Sequence, residues 1–244
     1  PSLLGHSKGQ KWASLFTIKH IAEQADSLEI ICVDQATALE IAVTYELAKE
    51  GVLKITQRVK NLSSDAFSVE ELNAWLPLPD YATETMDFTG RWVKERQPQR
   101  REIQVGTWSR EIREGRSGHD YTIVQLAMTQ GAGYQTGEVW SVGLQWSGNT
   151  RHLVEKLPTG RASIGAGELL LPGEVILASG EEYVAPSLVV SYSAEGIDGI
   201  TDRHYRWLRS RPTHPSNVRP RPLTLNVWEA VYFNHNLEKL EQLA

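Results

Sequence analysis

Leu223-Thr-Leu-Asn-Val-Trp-Glu-Ala-Val-Tyr-Phe233 runs near the end of the 244-residue chain, and the expected architecture of the whole follows from it. Residues 223–228 alternate as a short strand does. Thr224, Asn226 and Trp228 share one face, and Leu223, Leu225 and Val227 the other. Leu237, Leu240 and Leu243 then fall at helical spacing. Strand, loop and helix in that order open a parallel β/α fold. In a barrel of this kind, residues at the carboxyl end of a strand face the active site, which is where Trp228 and Glu229 would stand. A complete (β/α)8 barrel takes about 250 residues, and only a short tail follows Pro222. Residues 223–244 therefore read as the truncated start of a catalytic (β/α)8 barrel, with a different domain in front of it.

The stretch just upstream separates the two. Arg211-Pro-Thr-His-Pro-Ser-Asn-Val-Arg-Pro-Arg-Pro222 is an extended, proline-stiffened spacer. Before it, Ile200, His204, Trp207 and Leu208 fall on one face of a short helix over residues 200–209, suited to lie against a neighbouring layer. Residues 200–222 are thus a linker helix and a Pro-rich linker, and residues 1–199 an N-terminal domain.

That domain is mainly β. Strands are expected at 15–21, 28–33, 39–45, 52–59, 69–76, 121–128, 133–136, 138–146, 151–157, 162–164, 167–177 and 182–192, with turn chemistry at Gly148-Asn149 and Pro172-Gly173. Many short strands at regular spacing predict an antiparallel sandwich. Residues 80–118 break the rhythm. They are charged, carry Trp92, Trp108, Arg91, Arg96, Arg100, Arg101 and Arg110, and read as a long loop. Either its tryptophans pin it to the sandwich, or it reaches over a neighbouring domain or subunit. Trp140 and Trp146 read as core residues, while Trp92 and Trp108 fit core or sugar platform equally.

Bulk composition excludes several function classes. A net charge of −5 leaves no basic stripe to displace phosphate counterions, so nucleic acid is not expected as a partner. Apolar runs fall far short of a membrane span, and Pro1-Ser-Leu-Leu-Gly-His-Ser-Lys8 lacks the apolar segment of a signal peptide. Pro1 is not an initiator Met, so the natural start is expected upstream. The single cysteine, Cys32, lies in an apolar strand and fits a buried hydrophobe in a reducing, cytoplasmic protein. No metal-ligand spacing or phosphate-binding glycine pattern is present, so no metal or cofactor is expected.

Residues 221–233 closely resemble the start of the catalytic barrel in α-galactosidases of glycoside hydrolase family 36. Leu76-Pro-Leu-Pro-Asp80, Phe88-Thr-Gly-Arg-Trp92, Gly137-Glu-Val-Trp140, Trp146-Ser-Gly-Asn149 and residues 168–174 resemble the N-terminal region of the same family. The resemblance implies an antiparallel β-supersandwich, related in shape to galactose mutarotase, joined by a helix and linker to a (β/α)8 barrel. It implies hydrolysis of terminal α-galactosides of the raffinose and melibiose type with retention, by an Asp nucleophile and an Asp acid/base on later barrel strands. No catalytic position is therefore expected in this chain. Trp228, lining the galactose pocket, is the one substrate-binding residue that carries over. A homo-oligomeric full-length enzyme is also implied. The sequence departs from the pattern at Asn226-Val227, where many relatives have two Asn, and at Asn234, where many have Asp.

Other candidate sites are weaker. Retaining glycoside hydrolysis needs two carboxyl groups about 5 to 5.5 Å apart, and the pairs Glu70-Glu71 and Glu181-Glu182 read as solvated strand-edge charges. His119-Asp120 reads as structural, and no Gly-x-Ser-x-Gly elbow is present. Two rival functions are a stand-alone carbohydrate-binding module and an aldose epimerase on a similar sandwich. The epimerase would need a His and a Glu converging inside the concave sheet.

Overall fold

The structure, a computed structural model, describes residues 2–121 and 123–244. The chain forms two compact units, one running to Trp207 and the other Leu208–Ala244. The first is built almost entirely of strands. These are β1 (Ser2–His6), β2 (Thr17–Glu23), β3 (Ser27–Asp34), β4 (Leu39–Leu47), β5 (Val52–Asn61), β6 (Phe67–Leu78), β7 (Ala82–Arg91) and β8 (Lys94–Glu102). There follow β9 (Gly106–Ile112), β10 (Val124–Thr129), β11 (Val139–Leu144), β12 (Thr150–Lys156), β13 (Ala162–Glu168), β14 (Val175–Leu177), β15 (Glu182–Val184) and β16 (Leu188–Ser193).

The strands form two antiparallel sheets of unequal width. The six-stranded sheet has the order β1-β6-β13-β12-β9, with β14 also on β6. The ten-stranded sheet runs β2-β3-β4-β5-β16-β11-β10-β7-β8, with β15 also on β5. Period-two patterning decides which face turns inward: in β5, Ile55, Gln57, Val59 and Asn61 are buried, and the residues between them are less so. The main core joins Val43, Ile55, Val142, Leu144, Leu188 and Val190 of the larger sheet to Ala74, Leu78, Val154, Ile164 and Ala166 of the smaller. Each large aliphatic side chain buried there is worth roughly 1.5–3 kcal/mol of transfer free energy. Cys32 packs against a second cluster around Leu39, Ile41, Val59 and Phe67.

Helix α1 (Gly196–Ser210) starts four residues earlier than the periodicity predicts. Its Ile200 joins Met86, Leu126, Met128 and Val139 of the larger sheet in a third apolar cluster, and His204 Nε2 lies 2.9 Å from Ser191 Oγ. The early start is set by the loop at 133–136, which is a turn and not the expected strand. The Ile197 and Asp198 amides donate to the carbonyls of Gly133 (3.1 Å) and Tyr134 (2.8 Å). The loop thereby satisfies orphan donors of the first helical turn.

Residues 80–118 are the largest departure from expectation. They form β7, β8 and β9, with Trp92 in the hairpin turn between β7 and β8. β8 closes one edge of the larger sheet with Lys94-Glu-Arg-Gln-Pro-Gln-Arg-Arg-Glu102. Edge strands carry charge and tolerate proline because one side of the ladder is unpaired, and that same composition reads as loop. Trp146 is not a core residue: it lies beyond β11, in the turn to β12, and is 40 % exposed. Trp140, by contrast, packs against the main core.

In the second unit, a single 3-10 turn (Pro215–Asn217) is followed by residues 220–227 with no strand pairing, then α2 (Trp228–Val231) and α3 (Leu237–Leu243). α3 matches the expected helix. The strand expected at 223–228 does not form, and Trp228 opens a short helix in its place. A parallel barrel strand is held by neighbours on both sides, and no strand of the described residues pairs with this segment. Among the described residues, no helix is long and apolar enough to cross a membrane.

β13 lies close to β6 because it carries glycine where a side chain would not fit. A Cβ on Gly165 would come within 2.4 Å of the Ala74 carbonyl oxygen and 2.9 Å of the Trp75 ring. Gly165→Ala should therefore cost about 2 kcal/mol or more, as overpacking against backbone does. Urea unfolding monitored by circular dichroism measures this, and an unchanged midpoint would show that the two strands can part freely.

Candidate functional site

Trp228 is presented by local hydrogen bonds. Asn226 Oδ1 accepts from the Trp228 amide at 3.0 Å, an Asx-type turn that starts α2. Tyr232 ends the helix in the left-handed region at φ +45°. That reversal brings Tyr232 and Phe233 edge-to-face with the Trp228 indole, at ring-centroid distances of 5.4 and 5.1 Å. The indole is thereby fixed in orientation yet stays 48 % exposed, a rigid platform of the kind that stacks on a sugar ring. Below it, Asn236 caps α3 through the Lys239 amide, and Lys239 Nζ donates to the Ala230 carbonyl at 3.1 Å. These bonds hold α2 and α3 around a cleft of about 510 Å³ lined by Val231, Asn234, Asn236 and Glu238. The carboxylates of residues 223–244 are Glu229, Glu238 and Glu241, and among the described residues none belongs to a group able to hold a metal.

The sandwich has a polar centre of its own. Asp87 on β7 is 2 % exposed and bridges the two sheets. It accepts from Arg101 Nη1 of the larger sheet at 2.8 Å and from Arg110 Nε of the smaller at 2.6 Å. Trp108 lies under both guanidiniums, 4.2 Å from Arg101 and 5.3 Å from Arg110, and Tyr121 lies 5.2 Å from Arg110. Gln125 donates to Thr85 Oγ1, which donates on to the Leu126 carbonyl. His152 is buried beside this group, and its Nε2 has no hydrogen-bond partner among the described residues. Trp108 is thus a half-buried cation–π partner whose ring is taken up by Arg101 and Arg110, while Trp92 is 76 % exposed. The remaining candidates have structural partners. Glu70 faces His6, Glu71 pairs with Arg151, Glu182 with Arg58, and His119 with Glu95. Glu181 accepts from the Ala178 amide. The carboxylate facing His152 is Asp87, already held by two arginines, so it offers no free base of the kind an epimerase requires.

Comparison with known proteins divides the chain earlier than the two compact units do, just before β15. The Glycosyl hydrolase family 36 N-terminal domain matches residues 1–178, and the Melibiase domain matches residues 182–244. The chain belongs to glycoside hydrolase family 36. It is 32 % identical over its whole length to an α-galactosidase of Escherichia coli, of which it covers 34 %. Over 91 % of its length it is 28 % identical to α-galactosidase AgaA of Geobacillus stearothermophilus, covering 31 % of that protein. In fold it matches the solved structure of AgaA in complex with raffinose (TM-score 0.87, 23 % identity, 99 % of this chain and 37 % of that one). It likewise matches the galactosidase domain of AgaSK (TM-score 0.86, 22 % identity, 99 % and 36 %). The chain thus spans about a third of the length of these relatives.

In this family 36 sandwich the Asp87 cluster went unread in the sequence. Its signal was nonetheless present: Thr85 and Asp87 alternate with Met86 and Phe88, which places polar residues on an inward face. Burial holds the His152 ring neutral, lowering its pKa to about 4 against the weaker opposing effects of a hydrogen bond to the Ile123 backbone and the Asp87 charge. An unfolded histidine takes its proton near pH 6.5. Between these values the unfolded chain binds more protons, so stability falls as pH drops through this window. The unfolding free energy should decrease by about 2 to 3 kcal/mol between pH 7 and 4.5, and His152→Gln should remove most of that slope. A smaller slope remains from His204, whose pKa burial also lowers. Denaturant titrations across this range check it, and a slope unaltered in His152→Gln would exclude His152 as its source.

Proposed function

We propose that this chain is the N-terminal part of a retaining α-galactosidase that hydrolyses terminal α-galactosides of raffinose- and melibiose-type oligosaccharides. The observation that carries this is the relatedness of the whole chain, sandwich, linker and barrel-opening segment in order, to α-galactosidases. Solved structures of one relative, AgaA of Geobacillus stearothermophilus, in complex with raffinose and with stachyose support the substrate class. Trp228 contributes an aromatic wall to the galactose pocket, its ring held upright by Tyr232 and Phe233. Retaining chemistry places a nucleophilic carboxylate and an acid/base carboxyl about 5 to 5.5 Å apart across the scissile bond. Both belong to later strands of the (β/α)8 barrel that residues 223–244 begin. The full-length enzyme is a cytoplasmic homo-oligomer, and the exposed Trp92 hairpin turn is a candidate contact with a second subunit.

In the full-length enzyme, Trp228→Ala should lower kcat/KM for raffinose about 10- to 100-fold, the loss of one stacking surface, with the melting temperature preserved. The 244-residue chain alone should release no nitrophenol from an aryl α-galactoside above the buffer rate. Turnover that copurifies with the isolated chain would overturn the assignment of both carboxylates to later strands. Trp92→Ala should shift the full-length enzyme towards smaller species in sedimentation velocity. An unchanged profile would remove the hairpin turn from the subunit contact.

A further inference from the structure

Two of the segments that marked the family, Trp146-Ser-Gly-Asn149 and residues 168–174, meet in space. Thr150 pairs with Glu168 across β12 and β13, and the Leu169 amide donates to the Asn149 carbonyl at 3.1 Å. Where they meet, a cleft of about 590 Å³ opens between the end of β13 in one sheet and β15–β16 in the other. Trp146, Gln145, Glu168, Glu174, Tyr183 and Ser187 line it. Tyr183 also packs against the second apolar cluster, and the other five belong to none of the three.

The side chains are arrayed for a polyhydroxylated, uncharged ligand. The Trp146 indole lies against Gly148, where a Cβ would come within 2.6 Å of Nε1, so glycine leaves the ring room there, and the ring stays 40 % exposed. Tyr183 Oη donates to Glu168 Oε2 at 2.5 Å and sets the angle of that carboxyl group. Burial and the neighbouring Glu174 raise the proton affinity of Glu168 above the usual carboxylate range. Ser187 Oγ and Thr56 Oγ1 lie 2.8 Å apart and form a further donor–acceptor pair. No lysine or arginine lines the cleft, which disfavours phosphate or carboxylate ligands. Leu170, Val175, Val184, Ala185 and Pro186 complete its wall, so apolar surface stands beside the polar groups as a sugar ring with apolar faces and a hydroxyl rim requires.

We propose that this cleft is a carbohydrate-binding site formed wholly by the sandwich. It takes one or two rings of a neutral oligosaccharide, with Trp146 stacked on a sugar face and Glu168 and Gln145 hydrogen-bonded to its hydroxyls. The site rests on the cleft's own lining and stands whichever reaction the full-length protein catalyses.

The test uses the 244-residue chain labelled with 5-fluorotryptophan, the Trp146 resonance being assigned by its absence in Trp146→Phe. Titration with raffinose and with maltose, followed by fluorine NMR, should give a saturable shift of the Trp146 signal with a Kd of about 1 mM for at least one of them. The exposed Trp92 should stay unmoved. In calorimetry, Trp146→Ala should abolish binding, and Glu168→Gln should weaken it about tenfold, each with the wild-type melting temperature. Should Trp146→Ala fail to fold, Glu168→Gln decides by the same tenfold criterion. A Trp146 signal unmoved by both sugars overturns the proposal, as does wild-type affinity in either folded variant.

Discussion

Two sheets of unequal width have to bury a common apolar layer, and most features of the sandwich follow from that mismatch. Six strands cannot cover ten. Where they overlap, the inward residues of β4, β5, β11 and β16 meet those of β6, β12 and β13 in a continuous aliphatic core. Elsewhere the larger sheet needs other cover. Helix α1 supplies it over β7, β10 and β11, where Ile200 closes an apolar cluster with Met86 and Leu126. At the far edge, β2 is left with Ile18 and Ile21 exposed.

The rim formed by β7, β8, β9 and β12 is closed by charge in place of aliphatic packing. Asp87 ties Arg101 of one sheet to Arg110 of the other, and Trp108 and Tyr121 take up the guanidinium faces. A buried ion pair of this kind adds little net stability over an apolar replacement, yet removing one partner costs about 3–5 kcal/mol because the rest are left uncompensated. Its value lies in register. A directional carboxylate with two fixed donors admits fewer alternative alignments than a greasy edge does, and β8 and β9 are the edge strands whose registers would otherwise be least constrained.

The segment bearing Trp228 is governed by different physics. Its side chain is aimed by a turn hydrogen bond, a four-residue helix and two aromatic neighbours, all within eight residues. Local interactions of this sort persist whether or not adjacent barrel strands are present, whereas a parallel strand does not. Strand pairing at 220–227 is accordingly absent while the ring geometry is complete.

The sequence by itself determined the class of fold, most of its strands and the family. Period-two alternation in segments such as 39–45 and 52–59, and the proline spacing of 211–222, are local properties that need no partner to be read. Only the tertiary structure decided the rest. Residues 80–118 read as loop because an edge strand is written in charge and proline, and only its neighbour reveals the ladder. Trp146 read as core because alternation was carried one turn too far, past Leu144, where β11 ends. Asp87, Arg101, Arg110 and His152 come from four strands, and Trp146, Glu168 and Tyr183 from three separate segments. Their meeting depends on how two sheets stack, a long-range outcome of core burial that no local pattern encodes.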